Sequence, residues 1–204
     1  MECQYCQSPC KKDQQKTYTY KAYKKVIKML IPELMKVGNS FNGLASGLGI
    51  NRKTITTEVM QVSVRIRKNR IALKEQNKSY EIDEVQTYVK KNIPCNYIYV
   101  GYAINRLTKQ TINFVVGKRT SENLKKVVQT VISLNPKRVY ADGLNIYKGL
   151  ITKEKHKISK HMTVNIEREH LNIPTYIKPM QRGTICYSKS IATLTALMTL
   201  FFRG

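Results

Sequence analysis

The sequence predicts an α/β protein in which a small helical head precedes a domain built on a mixed β-sheet. Apolar residues recur at helical spacing from about Tyr23 to Arg70, and three segments rich in Val, Ile, Tyr and Thr follow between Tyr80 and Val116. Helix and strand patterns then alternate. The 204 residues suffice for one core of about 100–150 residues and a small appendage.

The head is predicted to contain three helices, of which the last two form a helix-turn-helix between Phe41 and Ile55. The two helices would pack through a small residue, a turn glycine and four apolar residues: Ala45, Gly49, Leu44, Leu48, Ile50 and Ile55. The second helix should begin near Asn51, a suitable N-cap. The alternative is an ordinary pair of short helices. If the motif binds DNA, the side chains facing the major groove are Asn51, Arg52, Lys53 and Thr56.

From Tyr80 onwards the patterns predict three strands, a helix and a fourth strand, followed by further helices. The strands cover 80–89, 97–104, 111–116 and 138–141, the first helix covers 121–134, and later helices cover 146–151, 165–180 and 188–201. A strand after a helix implies a right-handed crossover to a parallel neighbour. The order βββαβα followed by helices is that of a ribonuclease-H-like fold, an α/β sandwich with a mixed sheet.

These patterns divide the chain into four predicted regions. A cysteine-containing knuckle covers 1–16, the helix-turn-helix region covers 17–72, a polar linker covers 73–79 and the ribonuclease-H-like domain covers 80–204.

The charge balance indicates a polyanionic partner. Lys and Arg number 36 against 13 Asp and Glu, giving a formal charge of +23, and the excess covers both halves of the chain. A neutral domain with a cationic tail is thereby excluded, and nucleic acid is the first candidate partner. A ribosomal type of RNA binder, or a basic protein without a special ligand, is the alternative.

The apolar content predicts a cytoplasmic protein with no membrane association. The longest apolar-leaning run, Ile191 to Phe202, is shorter than the roughly 20 residues of a membrane span, and no signal peptide is recognisable. Three of the five cysteines lie in the first ten residues, which suits metal binding in a reducing compartment.

Three carboxylates are candidate ligands of a catalytic metal. Asp83 and Asp142 are two of only three aspartates, and each lies in or at the end of a predicted strand among apolar neighbours. The first and fourth strands are neighbours in the predicted fold, so the two carboxylates would converge and repel each other unless a divalent cation lay between them. Glu167 begins a later helix and supplies a third ligand. Such oxygen ligands suit Mg²⁺ or Mn²⁺.

Ordinary surface ion pairs are the alternative explanation of these acidic residues. The nearest rivals for the metal are Glu84 and Glu169. Glu169 lies two positions after Glu167 on the predicted helix, so its side chain points away from that of Glu167.

Several motifs from about Tyr80 to the C-terminus are similar, in order and spacing, to those of the insertion sequence one transposases. They are Tyr80–Glu84, Phe114–Thr120, Tyr140–Gly143, His156–Lys160, Ile166–Arg168 and Cys186–Ser190. The resemblance implies Asp-Asp-Glu phosphoryl transfer with Asp83, Asp142 and Glu167 as the catalytic, metal-binding residues. It also implies a helix-turn-helix that binds terminal inverted repeats, target DNA as second partner, assembly as a homo-oligomer on DNA, and a bacterial or archaeal host.

Three departures from that family predict an impaired copy. Cys3 and Cys6 supply half of a zinc ribbon, but the family's second Cys-x-x-Cys pair is missing, so the zinc site is incomplete. Pro174 stands where the family usually has a basic residue, and Pro174 and Pro179 would each disrupt a helix interior. The alternative is that the helix ends before Pro174 and function is intact.

Two other functions remain open from the sequence. The first is a non-catalytic DNA-binding protein or repressor derived from a transposase, which would lack metal-dependent nicking. The second is a ribonuclease-H-like nuclease or resolvase, which would hydrolyse DNA without joining strands. His156 and His161 are either metal ligands or a polar surface pair.

Overall fold

The computed structural model describes residues 29–67, 75–90, 93–158, 163–181 and 186–204. The predicted zinc knuckle, with Cys3 and Cys6, lies outside these residues, as does His161. Within the described ranges, no helix is long and apolar enough to span a membrane.

The first described elements are three helices: α1 (29–36), α2 (Phe41–Leu48) and α3 (Arg52–Arg67). Ser40 caps α2, because its hydroxyl accepts a hydrogen bond from the Gly43 amide at 3.0 Å. Gly49 ends the helix with φ +62°, a left-handed conformation that glycine adopts without strain. The Asn51 carboxamide then accepts from the Lys53 amide at 2.8 Å and starts α3. The expected turn between two helices is therefore present.

A five-stranded mixed sheet follows, as predicted from the alternation of strand and helix patterns. Its strands are β1 (Ser79–Tyr88), β2 (Tyr97–Asn105), β3 (Thr111–Gly117), β4 (Arg138–Ala141) and β5 (His156–Ile158). Their order is β3-β2-β1-β4-β5, with β1, β2 and β3 antiparallel and β1, β4 and β5 parallel. The sequence did not predict β5, because its three residues include two exposed ones and carry no alternating pattern.

Four helices pack around the sheet: α4 (Ser121–Ser133), α5 (Asn145–Leu150), α6 (Val164–Tyr176) and α7 (Ile191–Arg203). Helix α6 was predicted to continue to Met180. It ends at Tyr176 instead, and a 3₁₀ turn over Lys178–Met180 follows, because Pro179 has no amide to donate to a helical hydrogen bond. Pro174 lies inside α6, two residues before its end.

Two hydrophobic cores lie on the sheet. One core packs α4 and α5 against strand residues and includes the buried side chains of Tyr80, Ile82, Val127, Val131 and Tyr147. The other core joins α1, α2 and α3 to β2, α6 and α7. Ile55 and Val59 of α3 are fully buried there together with Leu194 and Met198 of α7. The helical head and the sheet therefore share one core.

Residues 75–78, within the predicted linker, lie against the sheet domain. The Asn105 carboxamide donates to the Glu75 carboxylate at 2.6 Å, and the Asn77 amide donates to the Leu134 carbonyl at 3.0 Å. Asn77 has φ +56°, a conformation that asparagine tolerates better than most side chains. Backbone and side-chain hydrogen bonds therefore hold this segment against the sheet domain.

Candidate active site

The parallel pairing of β1 with β4 places Asp83 beside Asp142. Glu81 lies opposite Tyr140 in this ladder, so two residues further along each strand Asp83 and Asp142 come to the same edge. Asp83 is a quarter exposed and Asp142 just under half exposed. Glu167 lies in the first turn of α6, which contacts β1. All three predicted catalytic residues therefore lie around one edge of the sheet.

The electrostatics of Asp83 show that these carboxylates act on one another. The pKa of Asp83 is raised to about 6, mainly by burial and in part by the nearby carboxylates of Asp142 and Glu167. The Glu84 amide, which donates to Asp83 at 2.8 Å, and the Arg119 guanidinium oppose this rise. Such a crowded, partly buried carboxylate is a place where a cation relieves repulsion.

The donor chemistry at this edge fits Mg²⁺ or Mn²⁺, since carboxylate oxygens are the ligands that these hard cations prefer. The side chains are not gathered around a single point, however. Among the described residues, no three His, Cys, Asp or Glu side chains lie close enough together to hold a metal ion. The carboxylate of Glu167 instead accepts a hydrogen bond from the Thr163 hydroxyl at 2.8 Å.

The two rival carboxylates have other partners. Glu84 is buried, accepts from the Tyr147 hydroxyl at 2.6 Å and pairs with Arg119 at 3.2 Å. Burial raises the pKa of Glu84, while Tyr147 and Arg119 oppose the rise. Arg119 also approaches the Asp142 carboxylate at 4.0 Å, so it links Glu84 to the candidate site. Glu169 accepts a hydrogen bond from the Asn172 carboxamide on its own helix.

Glu81 anchors the start of α6 and was not recognised from the sequence as a site residue. Its fully buried carboxylate accepts from the Ile166 amide at 3.0 Å and from the Asn165 carboxamide at 2.8 Å. Arg106 balances its charge at 3.4 Å and lies over the Tyr140 ring at 4.2 Å.

This anchor acts on the residue next to Glu167. Thr163, the N-cap of α6, makes no side-chain capping bond, so Glu81 supplies the missing acceptor from β1. The Tyr102 hydroxyl donates to the Ile166 carbonyl at 3.2 Å. Both backbone polar groups of Ile166 are therefore held by the sheet.

Two histidines adjoin the aspartates. The His170 Nε2 atom lies 3.9 Å from the Asp83 carboxylate, and its ring packs edge-on against Tyr102 at 5.6 Å. Burial lowers the pKa of His170 and also that of His156, which lies near Asp142. The Nε2 atoms of both rings are buried without a hydrogen-bond partner in the described chain. His170 was missed, because nothing in the sequence distinguishes it from an ordinary helical histidine.

The four predicted DNA-binding residues lie at the start of α3. Asn51 and Lys53 are exposed, whereas Arg52 and Thr56 are half-buried, and the Thr56 hydroxyl donates to the Arg52 carbonyl at 3.0 Å. All four line a groove of about 420 Å³ that the segment before α7 closes on its other side.

Comparison with known proteins identifies a family for this chain. A family model described as IS1 transposase matches residues 78–202. The InsB protein of insertion element iso-IS1n from Shigella dysenteriae is 30% identical over 111 residues, which is 54% of this chain and 83% of that protein. The InsB protein of insertion element IS1 2 from Escherichia coli K12 is 29% identical over 111 residues.

The match to the Escherichia coli protein covers 65% of that protein, so this chain spans a little under two thirds of its length. The family match has the wider coverage of this chain. It includes β1 to β5, α4 to α7 and all three candidate carboxylates. Because it extends over more than half of the residues and over the whole candidate site, the chain belongs to the IS1 transposase family.

Proposed function

We propose that this chain is a Mg²⁺- or Mn²⁺-dependent DNA transposase that cleaves transposon ends and joins their 3′ ends to target DNA. The observation that carries the proposal is that Asp142 and Glu167 lie close enough to Asp83 to raise its pKa, within the region that matches the family. The strand order β3-β2-β1-β4-β5 supports a ribonuclease-H-like catalytic domain.

The proposed chemistry is two in-line displacements at phosphorus. In the first, a water oxygen bonds to the scissile phosphorus, and the 3′-oxygen leaves and takes up a proton. In the second, the oxygen of that 3′-hydroxyl bonds to the phosphorus of a target phosphodiester and gives up its proton, and the target 3′-oxygen leaves and takes up a proton. Bound divalent cations would supply charge stabilisation at both oxygens. Neither step forms a covalent bond to the protein.

The residues of this chain have distinct parts in the proposal. Asp83 and Asp142 would hold the cation from neighbouring strands, and Glu167 would complete the ligand set on leaving Thr163. Arg119, which is within 4.0 Å of Asp142 and about one-third exposed, would orient that carboxylate and contact a phosphate oxygen.

Strand transfer with alanine variants tests the assignment. Asp83→Ala, Asp142→Ala and Glu167→Ala should each abolish joined product, because each removes one of three ligands. Glu169→Ala is the matched control, since the Glu169 carboxylate accepts a hydrogen bond from Asn172 on the same helix. Near-normal joining by Asp83→Ala would show that the site is wrongly assigned.

The DNA partners in this proposal are the terminal inverted repeats, bound by the helix-turn-helix, and the target duplex. The charge of +23 supports a polyanionic partner. Assembly of several copies on DNA belongs to the same proposal. The family match supports DNA binding in general.

A non-catalytic DNA-binding protein or repressor is the second candidate. Two observations favour it: no three metal-binding side chains are gathered in the described residues, and α6 contains Pro174. Metal-dependent nicking of a duplex separates the two functions.

The expected impairment is tested by comparing the transposition frequency of the present chain with that of Pro174→Arg combined with a restored zinc ribbon. A high frequency in the present chain contradicts impairment.

A further inference from the structure

A groove separates the start of α3 from the segment that leads into α7. One part of it has a volume of about 420 Å³, and an adjoining part has about 210 Å³. Both parts are lined by Arg52 on the α3 side and by Tyr187 and Lys189 on the other side. Lys189 belongs to the motif Cys186–Ser190, which the candidate active site leaves without a role.

The groove is cationic. Arg52, Lys53 and Lys189 line the larger part, and none of the described residues that line either part is acidic. Lys53 and Lys189 are exposed, and Arg52 is half-buried. A cleft lined by one sign of charge concentrates ions of the opposite sign.

Two helices begin at this groove. Helix α3, of 16 residues, starts at Arg52, and helix α7, of 13 residues, starts one residue after Ser190. Ser190 accepts from the Thr193 amide at 3.2 Å, and Thr193 itself lines the groove. The first amides of a helix and its dipole favour an anion at this end.

Ser188 provides an observation that is independent of the helix ends. Ser188 is one of the residues that line the groove and is only 3% exposed, and its buried hydroxyl oxygen has no hydrogen-bond partner among the described residues. Buried hydroxyls in folded proteins normally have partners, so one left open beside a cavity points to a missing ligand. A hydroxyl donor beside cations suits a phosphate oxygen.

The sheet holds this segment in place. Ser188 forms a parallel bridge with Val89, and its carbonyl accepts from the Lys90 amide at 2.8 Å. The ring of Tyr187 packs against that of Tyr88 at the end of β1, with centroids 6.3 Å apart. Ser188 is therefore held beside the end of β1, the strand that carries Asp83, and Lys189 follows it directly in the chain.

We propose that this groove binds a backbone phosphate of duplex DNA, held by Lys189, the Ser188 hydroxyl and Arg52. The site would not discriminate between base sequences, because its donors suit a phosphate oxygen of the DNA backbone and not a base edge in the major groove. It rests on the proposed DNA-binding function but not on catalysis. DNA bound here would contact the α3 side and the sheet side of the protein at the same time.

The test is the salt dependence of duplex binding by the full chain, measured by fluorescence anisotropy without divalent cations. The probe is a mixed-sequence duplex of about 30 base pairs, and the slope of log affinity against log salt reports the phosphate contacts, at about 0.9 per contact. Lys189→Ala should reduce the magnitude of the slope by about 0.9. Ser188→Ala should lower the affinity severalfold.

Lys125→Ala is the matched control, because Lys125 is an exposed lysine of α4 outside the groove. The proposal is overturned if Lys189→Ala behaves like Lys125→Ala. Lys189 is exposed, so its loss should leave the fold intact, which far-UV circular dichroism verifies. If inorganic phosphate stabilises the wild-type chain but not Lys189→Ala, while the salt slopes of Lys189→Ala and Lys125→Ala agree, the groove is assigned to a small anion and the proposal is overturned.

The outcome is separable from that of the catalytic proposal. If strand transfer is absent while Lys189→Ala reduces the slope and Lys125→Ala does not, the groove is supported and the proposed catalysis fails. If joining occurs and the slopes agree, the groove assignment fails alone.

Discussion

Asp83 is partly buried and lies near other carboxylates, and both features lower the stability of the folded chain when no metal is bound. Its pKa is raised from 3.8 to about 6, so the fold favours the protonated acid. A carboxyl group with a raised folded pKa contributes stability that is complete below its unfolded pKa, near 4, and is lost as pH rises through about 6. Without a cation, the ionised Asp83 carboxylate should therefore destabilise the folded chain at neutral pH.

Asp83→Asn should therefore stabilise the metal-free chain by about 1–3 kcal/mol at about pH 7.5, and by much less at about pH 4. Urea unfolding in a chelator at the two pH values measures the difference. Glu154→Gln, at an exposed position, serves as the control and should change stability little at either pH. The explanation fails if Asp83→Asn shows no gain near neutral pH.

Mg²⁺ should reverse the order of stability of the wild-type chain and Asp83→Asn. A ligand that binds the folded state adds stability in proportion to the logarithm of its concentration above the dissociation constant. The wild-type chain should gain this stability from its carboxylates, whereas Asp83→Asn should gain less. This readout is independent of catalysis.

At the scale of elements, α6 depends on β1 for the start of its first turn. The carboxylate of Glu81 supplies the acceptor that the N-cap residue Thr163 does not. The contact crosses 85 positions in the sequence, so it fixes a helix end to a distant strand. The placement of Glu167 relative to Asp83 follows from this contact.

Glu81→Ala should destabilise the chain by at least about 2 kcal/mol, because it leaves the buried Ile166 amide without its acceptor and removes the buried carboxylate that pairs with Arg106. Glu81→Gln should cost less, since its amide oxygen still accepts one hydrogen bond. Hydrogen exchange at the Ile166 amide should rise more than the global loss of stability explains. Glu122→Gln, at an exposed site on α4, is the control, and equal exchange in both variants would contradict the anchoring role.

Strong periodicity made most elements predictable. The strands β1 to β4 and the helix α4 begin and end within two residues of the bounds that the sequence predicted, because their apolar patterns are long or sharply bounded by turns. The short strand β5 carries no such pattern. The end of α6 was also misplaced, because the apolar spacing continues into the 3₁₀ turn beyond Tyr176.

The candidate site was predictable only in part. Asp83 and Asp142 were predicted from which strands are neighbours, Glu167 was predicted from its place at the start of a later helix, and the family resemblance implied all three. The roles of Glu81, Tyr147 and His170 depend on contacts between residues far apart in the sequence. No local pattern encodes such contacts, so only the assembled fold shows them.

At the scale of the molecule, the helical head and the sheet share one hydrophobic core. Residues of α3 and of α7 are fully buried against each other rather than separated by a hydrated interface. Two regions that were predicted as separate therefore have a common source of stability.

Ile55→Ala should lower the stability of the whole chain by about 2–4 kcal/mol, since it opens a cavity in this shared core. Circular dichroism and tyrosine fluorescence should report the same urea midpoint, because head and sheet unfold together. Val64→Ala, on the same helix but more than half exposed, should change the midpoint little. Two separate transitions in Ile55→Ala would show that the head unfolds alone.

The shared core also fixes the distance between α3 and Asp83. If α3 contacts a nucleotide sequence and Asp83 acts on a phosphodiester, the rigid packing between them sets how many nucleotides lie between the recognised sequence and the cut. The distance between the two DNA contacts would then be set by the core that the described parts of α3 and α7 share. A base pair inserted between the two positions should shift the cut by one nucleotide relative to the repeat, so that the enzyme itself defines the terminus of the element.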